Sequence, residues 1–331
     1  MRRSAEAATL ACLAGGLAGV ACSPADAPEP SPSAPPVGTG GSWAQAAPLR
    51  EARQEVGVAE LQGRIYVVGG YRADQSTAST VEVYDPATDT WSFAAPMPLA
   101  LNHCAAVSLG GRLYVAGGSL PSGAPSAALL EYDPARNDWG VRAPMPSARS
   151  APMAAVMNGR IHVAGGTPSG RAFEAWDPLA DRWTTLPLMP TERNHVAGGV
   201  TAGRFFAVGG RPPNTLAVNE AFDPVTNSWS RRAPLPTGRS GHAAAVVAGC
   251  LYVMGGEGNA GSASGVFPQN EAYDHRSDSW GALAPMPTPR HGIGAAVLGD
   301  RLFVPGGASV QGFGAVAVHE VFTIPAGRTC L

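Results

Sequence analysis

The chain has 331 residues, of which 45% are apolar and 15% are charged, and it contains 42 Gly and 31 Pro. So many turn-forming residues favour a compact chain of short strands and turns over a helical one. The net charge is −2 and runs of Lys and Arg are lacking, so we expect no nucleic-acid partner, because such binding requires many phosphate-neutralising contacts.

The N-terminus has the pattern of an export signal. Two arginines precede a short stretch of small apolar residues, so residues 1–21 predict a signal peptide rather than a membrane span. The stretch LAGVAC resembles a bacterial lipobox, which predicts cleavage before Cys22 and its lipidation. Plain cleavage after Ala21 or Ala27 is the alternative. We therefore expect an exported protein that is either secreted or lipid-anchored in a bacterial cell envelope, with membrane contact through that anchor alone.

Residues 22–42 are rich in Pro, Ala, Ser and Gly and predict a disordered linker, because such a composition buries too little apolar surface to fold. Beyond it stand three cysteines, Cys104, Cys250 and Cys330, so at most one disulfide can form, and the sequence does not say which. No Cys-x-x-Cys pair or Cys/His cluster has the spacing of metal ligands, so we expect neither a metal nor a cofactor.

The rest of the chain is organised by an internal repeat. Six Gly-Gly pairs close apolar runs, at 69, 117, 165, 209, 255 and 306. Each pair follows two short apolar runs joined by a tight glycine turn, a pattern that predicts a buried β-hairpin of strands a and b. After a loop of variable length, five units carry an aromatic-Asp turn, usually Asp-Pro, with a Trp seven residues beyond the aromatic, which predicts a second hairpin of strands c and d.

The glycine pair, the aromatic-Asp-Pro turn and the Trp at a fixed offset resemble kelch repeats over roughly residues 43–325. The resemblance implies an all-β fold, a six-bladed kelch-type β-propeller. The sixth unit has Phe322 but no following Trp. Trp43 lies ten residues before Arg53, the same offset that separates each later Trp from the next strand a. We therefore predict that a strand at Trp43 closes the last blade, and that residues 43–331 form the propeller.

Sixteen residues before five of the glycine pairs stands an arginine: Arg53, Arg149, Arg193, Arg239 and Arg290. Two residues before the c-strand aromatic, the same units carry a glutamate: Glu82, Glu174, Glu220, Glu271 and Glu320. The second unit has Leu101 and Leu130 at these positions. Joint replacement of both charges is expected of a buried ion pair, because an unpaired buried charge is costly. We predict structural ion pairs, with a ring of arginines at an anion site as the alternative.

In this topology the variable b–c loops and the d–a connectors share one face of the propeller, and we expect recognition there. Candidate ligand-binding residues on that face are Arg72, Asn102, His103, Asn194, His195, Arg211, His242 and His291.

The resemblance and the uneven loops favour an exported, monomeric interaction module that binds a protein or glycan partner. The alternative is a carbohydrate-active enzyme similar to sialic-acid epimerases, which have six such blades. In that case His103, Glu192, Arg193 and His195 would converge on a sugar as acid–base groups. A copper site like that of galactose oxidases is not expected, because Cys250 stands in an a–b turn on the opposite face.

Overall fold

The computed structural model describes residues 40–330. Within this range the strands form six four-stranded antiparallel sheets and one two-stranded sheet, and there is no helix. Accordingly, none of the described segments is a helix that could span a membrane. The predicted signal peptide, Cys22 and most of the predicted linker lie outside the described residues.

The strands follow one another as the repeats predict. The first are β1 (Ser42–Gln45), β2 (Arg53–Gln54), β3 (Gly57–Leu61), β4 (Arg64–Val68), β5 (Tyr71–Arg72), β6 (Val81–Asp85) and β7 (Thr90–Ala94). The second and third blades contain β8 (Ala105–Leu109), β9 (Arg112–Ala116), β10 (Leu129–Asp133), β11 (Asp138–Arg142), β12 (Met153–Met157), β13 (Arg160–Ala164), β14 (Phe173–Asp177) and β15 (Arg182–Thr185).

The remaining blades contain β16 (Ala197–Thr201), β17 (Arg204–Val208), β18 (Asn219–Asp223), β19 (Ser228–Arg231), β20 (Ala243–Val247), β21 (Cys250–Met254), β22 (Asn270–Asp274), β23 (Ser279–Ala282), β24 (Ala296–Leu298), β25 (Arg301–Pro305) and β26 (His319–Thr323). In each blade consecutive strands pair in the order a, b, c, d, and β2 pairs separately with β5. The a strands contact one another around the central axis and line its channel.

The N-terminal strand completes the last blade, and the predicted closure is confirmed. The order in this sheet is β1-β26-β25-β24, with Trp43 opposite Phe322 and their ring centroids 5.1 Å apart. The propeller also includes residues 40–42, which the sequence assigned to the linker. Ser42 pairs with Thr323, and the Gly40 carbonyl accepts a hydrogen bond from the Ala284 N–H at 3.2 Å.

Apolar side chains form six buried clusters, and each cluster lies between two neighbouring blades. The Trp series links neighbouring blades, because the indole N–H of each d-strand Trp donates to a backbone carbonyl in the connector that runs from the preceding blade's d strand to the a strand of the Trp's own blade. Trp43 bonds Ala284 at 2.8 Å just as Trp91 bonds Ala47 at 2.7 Å. Trp43 is therefore the sixth member of this series, and the packing is circular.

The glycine pairs hold the b–c loops against the d–a connectors. In the first blade Gly69 and Gly70 have φ of 60° and 93°, and a Cβ on Gly69 would lie 2.1 Å from the Leu101 carbonyl oxygen. That close approach lets the Gly70 N–H donate to Leu101 O at 2.8 Å. Loops and connectors thus share one face, here called the loop face, and the a–b and c–d turns lie on the opposite turn face.

The disulfide that the sequence left open joins Cys250 to Cys330, across 80 residues of chain. It ties the C-terminal tail to the a–b turn of the fifth blade. Cys104 is buried as a free thiol.

Candidate binding cleft on the loop face

The loop face closes around the axis through a ring of backbone hydrogen bonds. One residue per blade, two positions after the repeated arginine, takes part: Glu55, His103, Ala151, His195, Gly241 and Gly292. Each N–H donates to the carbonyl of the same position in the preceding blade, at 2.7 to 3.1 Å, and Glu55 closes the circle on Gly292. All six residues have φ between 50° and 62°. We call these six residues the axial ring.

Cavities lie on both sides of the axial ring, and a small one of about 80 Å³ lies at the ring itself, lined by all six of its residues. On the turn-face side a channel of about 510 Å³ runs between the a strands, lined largely by Ala and Val. On the loop-face side lies a cleft of about 210 Å³, here called the axial cleft. It is lined by Gln54, Glu55, Tyr71, His103, Arg211, Glu257, His291, Gly312 and Phe313.

Two Asn-His pairs aim their imidazoles at the axis. The Nδ1 atoms of His103 and His195 lie 2.6 Å from the side-chain oxygens of Asn102 and Asn194, respectively. Because an amide oxygen only accepts, each Nδ1 carries a proton. His195 Nε2 offers a lone pair, since Arg211 Nη2 lies 3.1 Å from it as a donor, whereas His103 Nε2 faces Glu55. The two rings meet edge to face with centroids 4.9 Å apart, and His103 Nε2 lies 3.4 Å from Glu55 Oε2.

Charged groups at the cleft are paired across blades. Arg211 contacts the Glu257 carboxylate through Nη1, and its Nη2 donates to His195 Nε2 at 3.1 Å. His291 Nδ1 lies 3.5 Å from Glu55 and 3.6 Å from Glu257. Two carboxylates therefore face a guanidinium and three imidazoles at the axis. Of the imidazoles, His103 and His291 line the cleft, and His195 lies beside His103 in a smaller cavity.

These contacts shift the proton affinities of the buried groups. Burial raises the pKa of Glu55, but the neighbouring His103 and His291 outweigh it and hold the pKa far below its usual range. Burial lowers the pKa of His291, and Glu55 and Glu257 reverse this, so its pKa lies above the ordinary value. At His195 burial outweighs the attraction of Glu55 and lowers the pKa to about 3. Near neutral pH Glu55 is therefore an anion and His195 a neutral imidazole.

The same backbone bridge places these side chains in every blade. The residue after the repeated arginine pairs with the residue after the glycine pair, as Asn194 does with Arg211 and Ser240 with Glu257. Because only the side chains differ, a regular scaffold presents a different group at each position around the axis.

Six of the predicted ligand-binding residues belong to this arrangement: Asn102, His103, Asn194, His195, Arg211 and His291. Arg72 does not reach the cleft, because Glu51 at 3.4 Å and the Thr80 hydroxyl at 2.8 Å hold its side chain. His242 lies beneath the axial ring, at a position occupied by Val56 and Val196 in other blades. Neither of its ring nitrogens has a hydrogen-bond partner among the described residues, and burial lowers its pKa to about 3.

The candidates drawn from the sequence lack Tyr71, Glu257 and Phe313. They also lack Glu55, although it stands two residues after Arg53, at the position that His195 holds after Arg193. The sequence position of Glu257 could have marked it as a site residue, because it directly follows its glycine pair, as Arg211 does. No such signal marks Phe313, because it stands in a loop whose length and sequence are unique to the sixth blade.

The repeated arginines lie away from the cleft. Each is fully buried and contacts the glutamate of its own blade, with N–O distances from 2.5 to 2.9 Å: Arg53–Glu82, Arg149–Glu174, Arg193–Glu220, Arg239–Glu271 and Arg290–Glu320. In the second blade Leu101 and Leu130 join an apolar cluster instead. Arg193 is thus engaged within its blade, and Glu192 lines neither the cleft nor the small cavity that contains His195. Two of the four predicted acid–base groups therefore do not converge, whereas His103 and His195 meet.

Fold and site together define a six-bladed β-propeller with an asymmetric polar cleft at its axis. A family model described as the KLHDC2/KLHL20/DRC7 Kelch-repeats domain matches residues 55–256, and a Kelch motif model matches residues 238–287. The chain therefore belongs to the kelch-repeat family.

Curated relatives match over single short segments. The F-box/kelch-repeat protein At1g67480 of Arabidopsis thaliana is 47% identical over 49 residues, 15% of this chain and 13% of that protein. The kelch-like protein terF of Aspergillus terreus is 36% identical over 69 residues, 21% of this chain and 15% of that protein. The matches thus span at most 15% of these relatives' lengths.

Among solved structures, one titled "Structure of YjhT" superposes with a TM-score of 0.72 at 17% identity. The match covers 86% of this chain and 98% of that one. At this identity the likeness shows the fold alone.

Proposed function

We propose that this protein is an exported binding module that holds a protein or glycan partner on its loop face, with the axial cleft at the centre of contact. The observation that carries the proposal is the convergence of unlike side chains from several blades at one point of a repeated scaffold. A rigid frame with individual loops is a common arrangement for recognition.

The cleft suits a small polar group. Its volume of about 210 Å³ is below the roughly 300–1,000 Å³ typical of pockets for drug-sized ligands. A single sugar ring or one side chain of a partner protein fits this size. Tyr71 and Phe313 stand edge to face at one wall with centroids 5.3 Å apart, and Phe313 is 52% exposed. An aromatic wall beside buried carboxylates offers both apolar contact and hydrogen-bond acceptors.

The disulfide supports export. Disulfides persist in oxidising compartments and are rare in the cytosol, and Cys250–Cys330 joins the C-terminal tail to the propeller. The predicted signal peptide is consistent with the same route. Lipidation of Cys22 remains a prediction, which mass spectrometry of the processed protein tests.

Two probe sets test the binding proposal: a panel of envelope sugars that includes N-acetylneuraminic acid and N-acetylglucosamine, and a displayed peptide library. We expect one set to yield a ligand whose affinity falls at least about tenfold in F313A, because the variant removes an exposed wall of the cleft. The matched control is L179A, which truncates a 98% exposed leucine on the turn face. Failure of both sets, or equal losses in the two variants, contradicts the proposal.

A second candidate function is a carbohydrate-active enzyme, favoured by the short distance between acid–base groups. His103 Nε2 and Glu55 Oε2 lie 3.4 Å apart with His195 alongside, which suits proton transfer to and from a bound sugar. The test incubates N-acetylneuraminic acid and N-acetylmannosamine with the protein in D₂O. NMR follows exchange of C–H protons and the rate at which the two anomers equilibrate, because anomer interconversion moves only hydroxyl protons. An acceleration of either process that is lost in H195A supports an enzyme. Binding without acceleration of either supports the module alone.

A further inference from the structure

Three side chains of the axial ring form a cluster that the binding proposal does not require. Glu55, His103 and His195 each offer one ligand atom, and these three atoms all lie within 4.8 Å of one another. We propose that the three residues bind one divalent transition-metal ion, with zinc as the best match. This inference extends the proposed function, on whose cleft it rests, by placing the ion at the cleft floor.

The distances suit a metal. Ligands that bind zinc tetrahedrally at about 2.0–2.2 Å lie about 3.3 Å from one another. Glu55 Oε2 and His103 Nε2 are already 3.4 Å apart. No pair of the three ligand atoms exceeds 4.8 Å, so the farthest pair must approach by at most about 1.5 Å. Side-chain rotation supplies such a movement while the backbone bonds of the axial ring hold the Cα positions.

The hydrogen bonds that the two histidines make through Nδ1 independently support a metal site. Metal-bound histidines almost always donate their other ring N–H to an oxygen, which fixes the tautomer and aims the free nitrogen at the ion. Asn102 and Asn194 accept such bonds from Nδ1 at 2.6 Å in both blades. Both Nε2 atoms are thereby aimed at the axis. Two histidines and a glutamate are also the donor set of a known class of zinc site that keeps one position open.

One neighbour opposes the ion. Arg211 Nη2 donates to the lone pair of His195 Nε2, which a metal needs, and its positive charge repels a cation. Glu257 holds the same guanidinium through Nη1. Arg211 can therefore release His195 while it stays bound to Glu257, so ion and arginine compete for one nitrogen.

Calorimetry on the full chain, stripped with EDTA and titrated with ZnCl₂ at pH 7.5, tests the site, with Co²⁺ absorption as a second readout. We expect one ion per chain. Loss of a residue that only hydrogen-bonds a metal ligand weakens metal binding roughly 10–100-fold. H103A and H195A remove a ligand itself, so each should weaken zinc binding by more than this. Both variants are expected to fold, because Ala151 holds the equivalent ring position with φ of 55°. Circular dichroism verifies this.

Three further variants separate the metal site from a general effect of mutation. H242V removes a histidine just below the ring in favour of the residue found at positions 56 and 196, and we expect unchanged zinc affinity. N194S should weaken zinc about 10–100-fold through lost orientation of His195. R211S should tighten zinc, because the competitor is gone.

The proposal of a metal site is overturned if the wild type does not bind zinc at one ion per chain. It is also overturned if H103A, H195A and the wild type bind zinc equally well. Sugar and peptide binding measured in EDTA keeps the two proposals separate. Partner binding without zinc binding refutes the metal site alone. Zinc binding without any partner refutes the proposed function alone.

Discussion

At the scale of single residues, Arg193 shows how this fold holds a buried charge. Its guanidinium lies 2.7 Å from Glu220 and also donates to the carbonyls of Gly209 at 3.2 Å and Val218 at 2.9 Å. Burial lowers its pKa to about 10, against the attraction of Glu220. The arginine is therefore still charged at neutral pH, and it links the glycine pair to the c strand.

Replacing one member of this pair should cost more than replacing both. R193L leaves Glu220 as an unpaired buried carboxylate, and we expect it to lower the free energy of unfolding by about 3–5 kcal/mol. The double variant R193L/E220L copies Leu101 and Leu130 of the second blade and should recover more than half of that loss. Urea unfolding of the three proteins measures this. Equal destabilisation in single and double variants would contradict the pairing.

His162 makes stability depend on pH. It packs beside Phe173 and Phe205, and burial lowers its pKa to about 4. An unfolded chain takes up this proton below about pH 6.5, whereas the folded chain resists until about pH 4. Stability should therefore fall as the pH drops through this window, by about 3 kcal/mol from this group.

In H162F the free energy of unfolding should fall less on acidification than in the wild type, because phenylalanine fills the site and does not titrate. The measurement is the free energy of unfolding at pH 7, 5.5 and 4.5 in both proteins. Parallel pH curves for the variant and the wild type would show that His162 contributes nothing.

At the scale of elements, β1 connects the two ends of the propeller. It covers the edge of β26, which otherwise exposes unpaired backbone groups. The segment that follows it is equally engaged. The Ala47 carbonyl accepts hydrogen bonds from Trp91 at 2.7 Å and His319 at 3.1 Å, and Leu49 is buried between the first and last blades.

Two truncations test this closure. A chain that begins at residue 40 keeps β1 and should melt like the longer protein. A chain that begins at residue 51 loses β1, Trp43 and Leu49 and should melt at a markedly lower temperature with a broader transition. Scanning calorimetry compares the two. Identical melting would show that the ring does not depend on the N-terminal strand.

The elements were predictable because each pattern occurs several times along the chain. Glycine pairs, aromatic-Asp turns and Trp residues recur at fixed offsets, so the register of Trp43 with Phe322 followed from spacing alone. The axial cleft was predictable only in part. His103 and His195 share a motif, but Glu257 and Phe313 occur once each, and no repetition marks them. The disulfide partner was unpredictable because three cysteines allow three pairings.

At the scale of the whole molecule, the backbone is nearly sixfold symmetric, whereas the side chains at the axis differ from blade to blade. The axial ring joins all six blades by the same hydrogen bond, while its side chains range from glycine to histidine and glutamate. Closure places the first blade beside the last, and this brings Glu55 of the first blade to His291 of the last. The cleft therefore exists only in the closed ring.

The central claim is that recognition takes place at the axial cleft on the loop face. Hydrogen–deuterium exchange, compared with and without a sugar or peptide found by the screens, tests it most directly. We predict new protection in peptides that contain Gln54, Tyr71, Glu257 and Phe313, with no change at the turn-face segments around Leu179 and Val225. Protection confined to those turns, or to the strands that line the channel, would contradict the claim.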